Sequence, residues 1–173
     1  MISRTKVIQR VLVRRNHGLT HVSKDNQPRM VDVSGKNVTK RTATARSIVR
    51  LPPNVLSALQ QNDELLSKKG PVLSTATIAG VMGAKRTSDL IPFCHPLPIE
   101  NCQVSLKIHD DSTIHVLCNV SVTGRTGVEM EALTGASIAA LCIYDMCKAL
   151  SHDIVIQDTR LLEKTGGKAD FKR

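Results

Sequence analysis

Three prolines within seven residues fix much of the backbone of the stretch Thr87-Ser88-Asp89-Leu90-Ile91-Pro92-Phe93-Cys94-His95-Pro96-Leu97-Pro98. Each ring locks its own φ and pushes the preceding residue toward extended geometry. The stretch is expected to be a rigid, non-helical loop with Cys94 and His95 at its middle, able to aim side chains. A helix whose charges share one face is expected downstream, from Val128 to Leu150. The chain reads as a scaffold that brings this loop and this helix together around an anionic small molecule.

Length bounds the rest. At 173 residues and 41% hydrophobic content the chain suits one domain with a real core. No apolar run reaches the ~18 residues of a membrane span. The formal net charge of +9 is unevenly placed: residues 1–24 hold six Lys or Arg and no acid, which leaves the remainder at only +3. That segment, with Val7, Ile8, Val11 and Leu12 on one helical face and Arg4, Arg10, Arg14 and Arg15 largely off it, has the pattern of a mitochondrial transit peptide. A plain basic tail is the alternative. Residues 25–173 are then a single domain, expected in the mitochondrial matrix, or in the cytoplasm if the segment is not a targeting signal.

Composition also excludes function classes. Phe93, Tyr144 and Phe171 are the only aromatic residues, too few for the stacking platforms of single-strand nucleic-acid binders. The five cysteines contain no C-x-x-C pair and are odd in number, which favours reduced thiols over a disulfide framework or a zinc site. No metal site, nucleic acid or membrane is expected.

Residues 25–44 read as a polar linker or arm, and Thr44 to Leu51 as a strand ending at Pro52-Pro53. A short helix is expected over about 53–62, with Pro53 in its first turn. Lys68-Lys69-Gly70-Pro71 is a turn, and a small-residue helix follows from about Val72 to Lys85. Beyond the proline loop, Gln103–His109 and Thr113–Thr123 alternate around Asp110-Asp111-Ser112, a β-hairpin. A helix from Thr126 to about Leu150, a strand over Asp153–Leu162 and a flexible basic tail from Lys164 complete the chain. The order β-α-α-β-β-α-β predicts an α+β domain with an antiparallel sheet: a ferredoxin-like split βαβ with an extra helix.

At 100° per residue, Glu131, Thr134, Ile138, Leu141 and Lys148 lie within about 60° of Asp145. The opposite face carries Ala132, Ala136, Ala139, Ala140 and Ile143. One face is therefore expected to bury and the other to carry Glu131, Asp145 and Lys148. By spacing alone, Asp145 and Lys148 are an exposed i,i+3 pair worth a few tenths of a kcal/mol.

The run Lys85 to Leu97 resembles the signature loop of the MoaC family, the cyclic pyranopterin monophosphate synthases of molybdenum-cofactor biosynthesis. Thr126-Gly127-Val128-Glu129-Met130-Glu131-Ala132-Leu133-Thr134 and Ile143-Tyr144-Asp145-Met146-Cys147-Lys148-Ala149 resemble its second signature. The arm Met30-Val31-Asp32-Val33-Ser34 and the tail Gly166-Gly167-Lys168 fit as well, so the resemblance runs from about residue 28 to the end. It implies a phosphorus–oxygen lyase that converts 3′,8-cyclo-7,8-dihydro-GTP to cyclic pyranopterin monophosphate and diphosphate. It implies no redox cofactor (Mg²⁺ accompanying the triphosphate stays open) and a homo-oligomer of three dimers with sites at the dimer interface. The unstable substrate would be handed over by an upstream GTP-cyclising radical enzyme.

The resemblance assigns roles residue by residue. Asp145 matches the family's catalytic aspartate and Lys69 an active-site lysine; Lys148 would tune Asp145 or act as an acid. His95 is a second proton carrier or phosphate donor. Phe93, Cys94 and His95 match the substrate-contact loop, and Met130 and Glu131 a second contact. Lys164 and Lys168, with Lys69 and Lys148, are the cations available to a diphosphate leaving group, where charge develops. Three departures stand out: Phe93 where leucine is usual, Pro71 where an acid is common, and Ala169-Asp170 where a small pair is usual. Two other function classes stay open: a nucleotide- or RNA-binding module and a scaffolding homologue without chemistry.

Overall fold

The computed structural model describes residues 22–23, 27–61, 63–109 and 112–173. Contacts divide the chain at Val31. In the N-terminal part, Val22 and Pro28 form an isolated antiparallel bridge; the expected transit helix lies outside the described residues.

From Asp32 onward the fold is mixed α+β around an antiparallel sheet. Strand β1 (Thr39–Arg50) is followed by helix α1 (Pro53–Leu59), then by three short strands, β2 (Gln60–Gln61), β3 (Glu64–Ser67) and β4 (Gly70–Pro71). Helix α2 (Val72–Lys85), the single turn α3 (Thr87–Leu90), strands β5 (Asn101–Ile108) and β6 (Thr113–Gly124), helix α4 (Glu129–Cys147) and strands β7 (Val155–Thr165) and β8 (Phe171–Lys172) complete it. The main sheet runs β5-β6-β1-β7-β8, and β2-β3-β4 form a separate small sheet.

Alternation explains the layering. Ala43, Ala45, Ser47 and Val49 of β1 and Ile114, Val116, Cys118, Val120 and Val122 of β6 are buried on one face. Helix α4 lies on β1, β6 and β7 of that sheet. By length and mean hydropathy α4 is apolar enough to cross a membrane, although Glu129, Glu131 and Asp145 interrupt its apolar run; its alanines are core contacts here.

Helices α2 and α4 meet through glycine. A Cβ on Gly135 would lie 2.6 Å from Cys118 Sγ and 3.1 Å from Gly80 O, and one on Gly83 would lie 2.7 Å from Ile138 Cγ1. Close approach, rather than backbone freedom, selects these glycines. Gly135→Ala is expected to cost about 1–3 kcal/mol, as overpacking does in a filled core. Urea unfolding at fixed protein concentration checks this; an unchanged midpoint would refute the tight seam.

Several boundaries differ from expectation. The presumed arm contains the start of β1, which begins at Thr39 because Ala43 already packs inward. The helix expected over about 53–62 stops at Leu59, where the chain turns into the small sheet, and Asn62 lies outside the described residues. The long helix begins at Glu129 and ends at Cys147, short of the expected limits. The start of the proline stretch is helical: Thr87–Leu90 form one turn, with the buried Thr87 hydroxyl bonded back to Ala84 O at 3.0 Å. Only beyond Ile91 do the prolines enforce irregular backbone. The hairpin strands stand as expected, although Asp110 and Asp111 lie outside the described residues. Lys164 and Thr165 belong to β7, not to a flexible tail.

Candidate functional site

Helix α4 carries a different set of groups at each end. At its C-terminal end, Asp145 holds two ammonium groups. Lys148 Nζ lies 2.7 Å from Asp145 Oδ1, and Lys69 Nζ lies 2.6 Å from Oδ2. Lys69 also donates to the backbone carbonyl of Asp145 at 2.9 Å, one of the last-turn carbonyls that an α-helix leaves free. All three side chains are about half exposed. Hydrogen bonds from Lys148 and then Lys69 hold the Asp145 carboxyl at a pKa of about 2, and the Lys148 ammonium is raised by its bond to Asp145. The expected i,i+3 pair is thus a three-membered cluster completed from 76 residues away.

Lys69 reaches Asp145 because β3 and β4 form a hairpin around Lys68-Lys69. Leu66 pairs with Pro71 and Ser67 with Gly70. Gly70, at φ +108°, occupies a conformation that L side chains rarely adopt.

At the N-terminal end of α4, Glu131 is only 4% exposed. This corrects the expectation that Glu131 shares an open face with Asp145. Burial pushes its carboxyl pKa up, and the charge of Glu129 adds to the rise. Burial also raises the Cys94 thiol of the proline loop, with a further push from the charge of Glu131. His95 follows, partly buried; Phe93 and Met130 are each 37% exposed, marginal to the core.

The strand ends add cations here. Lys164 Nζ pairs with Glu129 Oε1 at 3.1 Å. Arg41 donates from Nε to Gly124 O at 3.0 Å, and its Nη1 and Lys164 Nζ both flank Gly167. Lys168 is exposed in the loop after β7, where Gly166 N–H donates to Asp170 Oδ1 at 3.0 Å. Asp170, one of the unusual tail residues, therefore braces that loop. Sequence reading missed Arg41 because it lies in the presumed linker. Glu129, named in the sequence only as part of the Thr126–Thr134 motif, makes its contact with Lys164.

The expected residues thus form two groups. Lys69, Asp145 and Lys148 meet at one end of α4; Cys94, Glu131, Glu129 and Lys164 gather toward the other. Glu131 and Asp145 lie fourteen positions apart on the helix, about 21 Å along the axis. Among the described residues no three His, Cys, Asp or Glu side chains are placed to hold a metal ion, and all five cysteines are free thiols.

Comparison with known proteins gives one answer. The MoaC family model matches residues 30–167. Molybdenum cofactor biosynthesis protein 1 of Dictyostelium discoideum is 52% identical over 170 residues, covering 89% of this chain and 27% of that relative. The chain therefore spans about a quarter of that protein's length. The cyclic pyranopterin monophosphate synthase of Xanthomonas oryzae pv. oryzae is 54% identical over 157 residues, covering 91% of this chain and 94% of its own. That of Brevibacillus brevis is 47% identical over 156 residues, with 90% and 96% covered.

Proposed function

Because this chain belongs to the MoaC family, we propose that it is a cyclic pyranopterin monophosphate synthase. It converts (8S)-3′,8-cyclo-7,8-dihydroguanosine 5′-triphosphate to cyclic pyranopterin monophosphate and releases diphosphate. The observation that carries the placement of the chemistry is the Lys69–Asp145–Lys148 cluster.

In the free protein Asp145 is a poor proton acceptor, since two ammonium groups hold it ionised. A triphosphate is a stronger partner for those ammoniums. Phosphate oxygens that draw Lys69 and Lys148 toward themselves relax the clamp and raise the basicity of Asp145 where proton transfer is needed. The lysines then carry the charge that develops on departing diphosphate. Lys148 can return a proton as Asp145 takes one. Glu131, buried and with its pKa raised, serves as a protonatable carboxyl at the ring end of the substrate. His95 is the second carrier, and Phe93, Cys94 and Met130 line the pterin-forming side. Lys164 and Lys168 contact phosphate. The enzyme needs no cofactor of its own; Mg²⁺ would arrive with the triphosphate.

A single substrate cannot use both ends of α4 in one subunit. The site is therefore composite, with the Asp145 cluster of one subunit facing the Glu131 group of another in a hexamer of three dimers. Ile78, Met82 and Leu141 support this reading, since they leave apolar side chains 50–63% exposed on the helix layer. The order of the long elements and the β5-β6-β1-β7 neighbours support a ferredoxin-like domain. The basic N-terminal segment supports delivery to the mitochondrial matrix, where the upstream GTP-cyclising radical enzyme would pass on its product.

The test is turnover of enzymatically made cyclised dihydro-GTP, followed by diphosphate release and by the fluorescent oxidised pterin. Both products are expected in equal amounts. A folded, oligomeric protein that forms neither is instead the scaffolding homologue.

A further inference from the structure

The hairpin that carries Lys69 is too small to position itself. It pairs two residues on each side, and isolated hairpins are marginal even when longer. The Ser67 hydroxyl shapes its tip, accepting from Lys69 N–H at 3.1 Å and donating to Gly70 O at 3.2 Å. Those bonds are internal to the turn and say nothing about where it sits relative to α4.

The external hold comes from Glu64, at the start of β3. Its Oε1 accepts the N–H of Leu65 at 2.8 Å and of Leu73 at 2.7 Å. Its Oε2 accepts the N–H of Ser74 at 3.0 Å and the Ser74 hydroxyl at 2.8 Å. Leu73 and Ser74 lie in the first turn of α2, whose amides have no partner within the helix. Pro71 precedes that helix and offers no side-chain cap. A carboxylate is favoured here by the helix dipole as well. Burial alone would raise the Glu64 pKa; the four hydrogen bonds outweigh it and the carboxyl is lowered. One side chain thus ties the base of the hairpin to α2, which packs along α4.

We propose that Glu64 is a positioning residue for the reaction: by anchoring the hairpin to α2 it keeps Lys69 on Asp145. The proposal rests on the functional reading above only for its activity arm. A residue that merely capped α2 would affect stability and leave Asp145 untouched.

The experiment uses the full-length oligomer. The Asp145 carboxyl is titrated by ¹³C NMR in the native protein and in Glu64→Gln, Glu64→Ala and Lys69→Ala, and kcat and KM are measured with cyclised dihydro-GTP. The Asp145 pKa is expected to rise in both Glu64 variants toward its value in Lys69→Ala. The fall in kcat/KM is expected to be roughly tenfold, as for a misplaced catalytic group. In a Lys69→Ala background, adding Glu64→Gln is expected to change kcat/KM by less than about twofold, the signature of two residues acting through one contact. If Glu64→Ala does not fold, the isosteric Glu64→Gln decides. An Asp145 that titrates as in the native protein in Glu64→Gln overturns the proposal, as does an equal activity loss in both backgrounds. If the native protein turns over no substrate, the titration alone still decides.

Discussion

Asp145→Asn is expected to lower turnover at least a hundredfold while leaving the fold intact. Asparagine keeps the size of the side chain but has one acceptor oxygen where the carboxylate uses two. It can hold Lys148 or Lys69, and its amide nitrogen repels the other. The variant thus loses the proton acceptor and the geometry of the leaving-group cations together. The fold tolerates the change because the side chain is half exposed and its partners are surface lysines. The pH dependence has a defined sign. The folded pKa of about 2 lies below the ordinary 3.8, so the stability Asp145 contributes is fully present above about pH 4. It is lost as pH falls through 2. In the free protein Asp145 is ionised throughout any practical assay, so an acid limb in the kcat/KM profile belongs to another group, and the buried Glu131, whose carboxyl burial pushes up, is the first candidate. Diphosphate release measured beside circular dichroism checks the expectation. Residual activity within tenfold of native would remove Asp145 from the chemistry.

A composite site makes a stronger demand. Asp145→Asn and Glu131→Gln, each nearly inactive alone, are expected to restore activity when their subunits are mixed. Random pairing makes half of the dimers mixed, and each mixed dimer has one site with both lesions and one with neither. About a quarter of all sites are then intact, as two-fold symmetry requires. Glutamine suits the buried position because it keeps the shape of Glu131 and removes only the ionisable group. The subunits are dissociated, mixed and reassembled, with differently tagged chains to verify exchange. Recovery near a quarter of native activity supports the two-subunit site. No recovery among verified mixed dimers means that both groups serve the same subunit's site, and the division along α4 then needs another explanation.

Glu131 also marks where sequence reading stops. It lies about 40° from Asp145 around the helix, so periodicity assigned both to one face. The angle is sound and the inference from it is not. At Glu131 that face is buried, with the side chain 4% exposed, whereas at Asp145 it is open. Periodicity gives direction from an axis, and says nothing about what covers that direction at each height. The long strands and helices were legible because each repeats its pattern over several turns or pleats. The small β2-β3-β4 sheet was not, since two to four residues carry no period. Lys69 was recognisable in a turn and by its motif, but its meeting with Asp145 depends on the packing of α2, which no local pattern encodes. Lys164 was assigned to a basic tail because a Gly-Gly pair follows it. Its pairing with Glu129 required knowing that β7 lies beside the start of β1.

The glycine seam between α2 and α4 turns the helix layer into a ruler. With backbone nearly touching backbone at Gly80 and Gly135, neither helix can slide or roll without its partner. One extra residue within α4 would advance one end by about 1.5 Å and swing it through about 100°, carrying Asp145 out of reach of Lys69. Drift among relatives is therefore to be sought in loop lengths, while the count of residues from Glu131 to Asp145 should hold as fixed as the residues themselves.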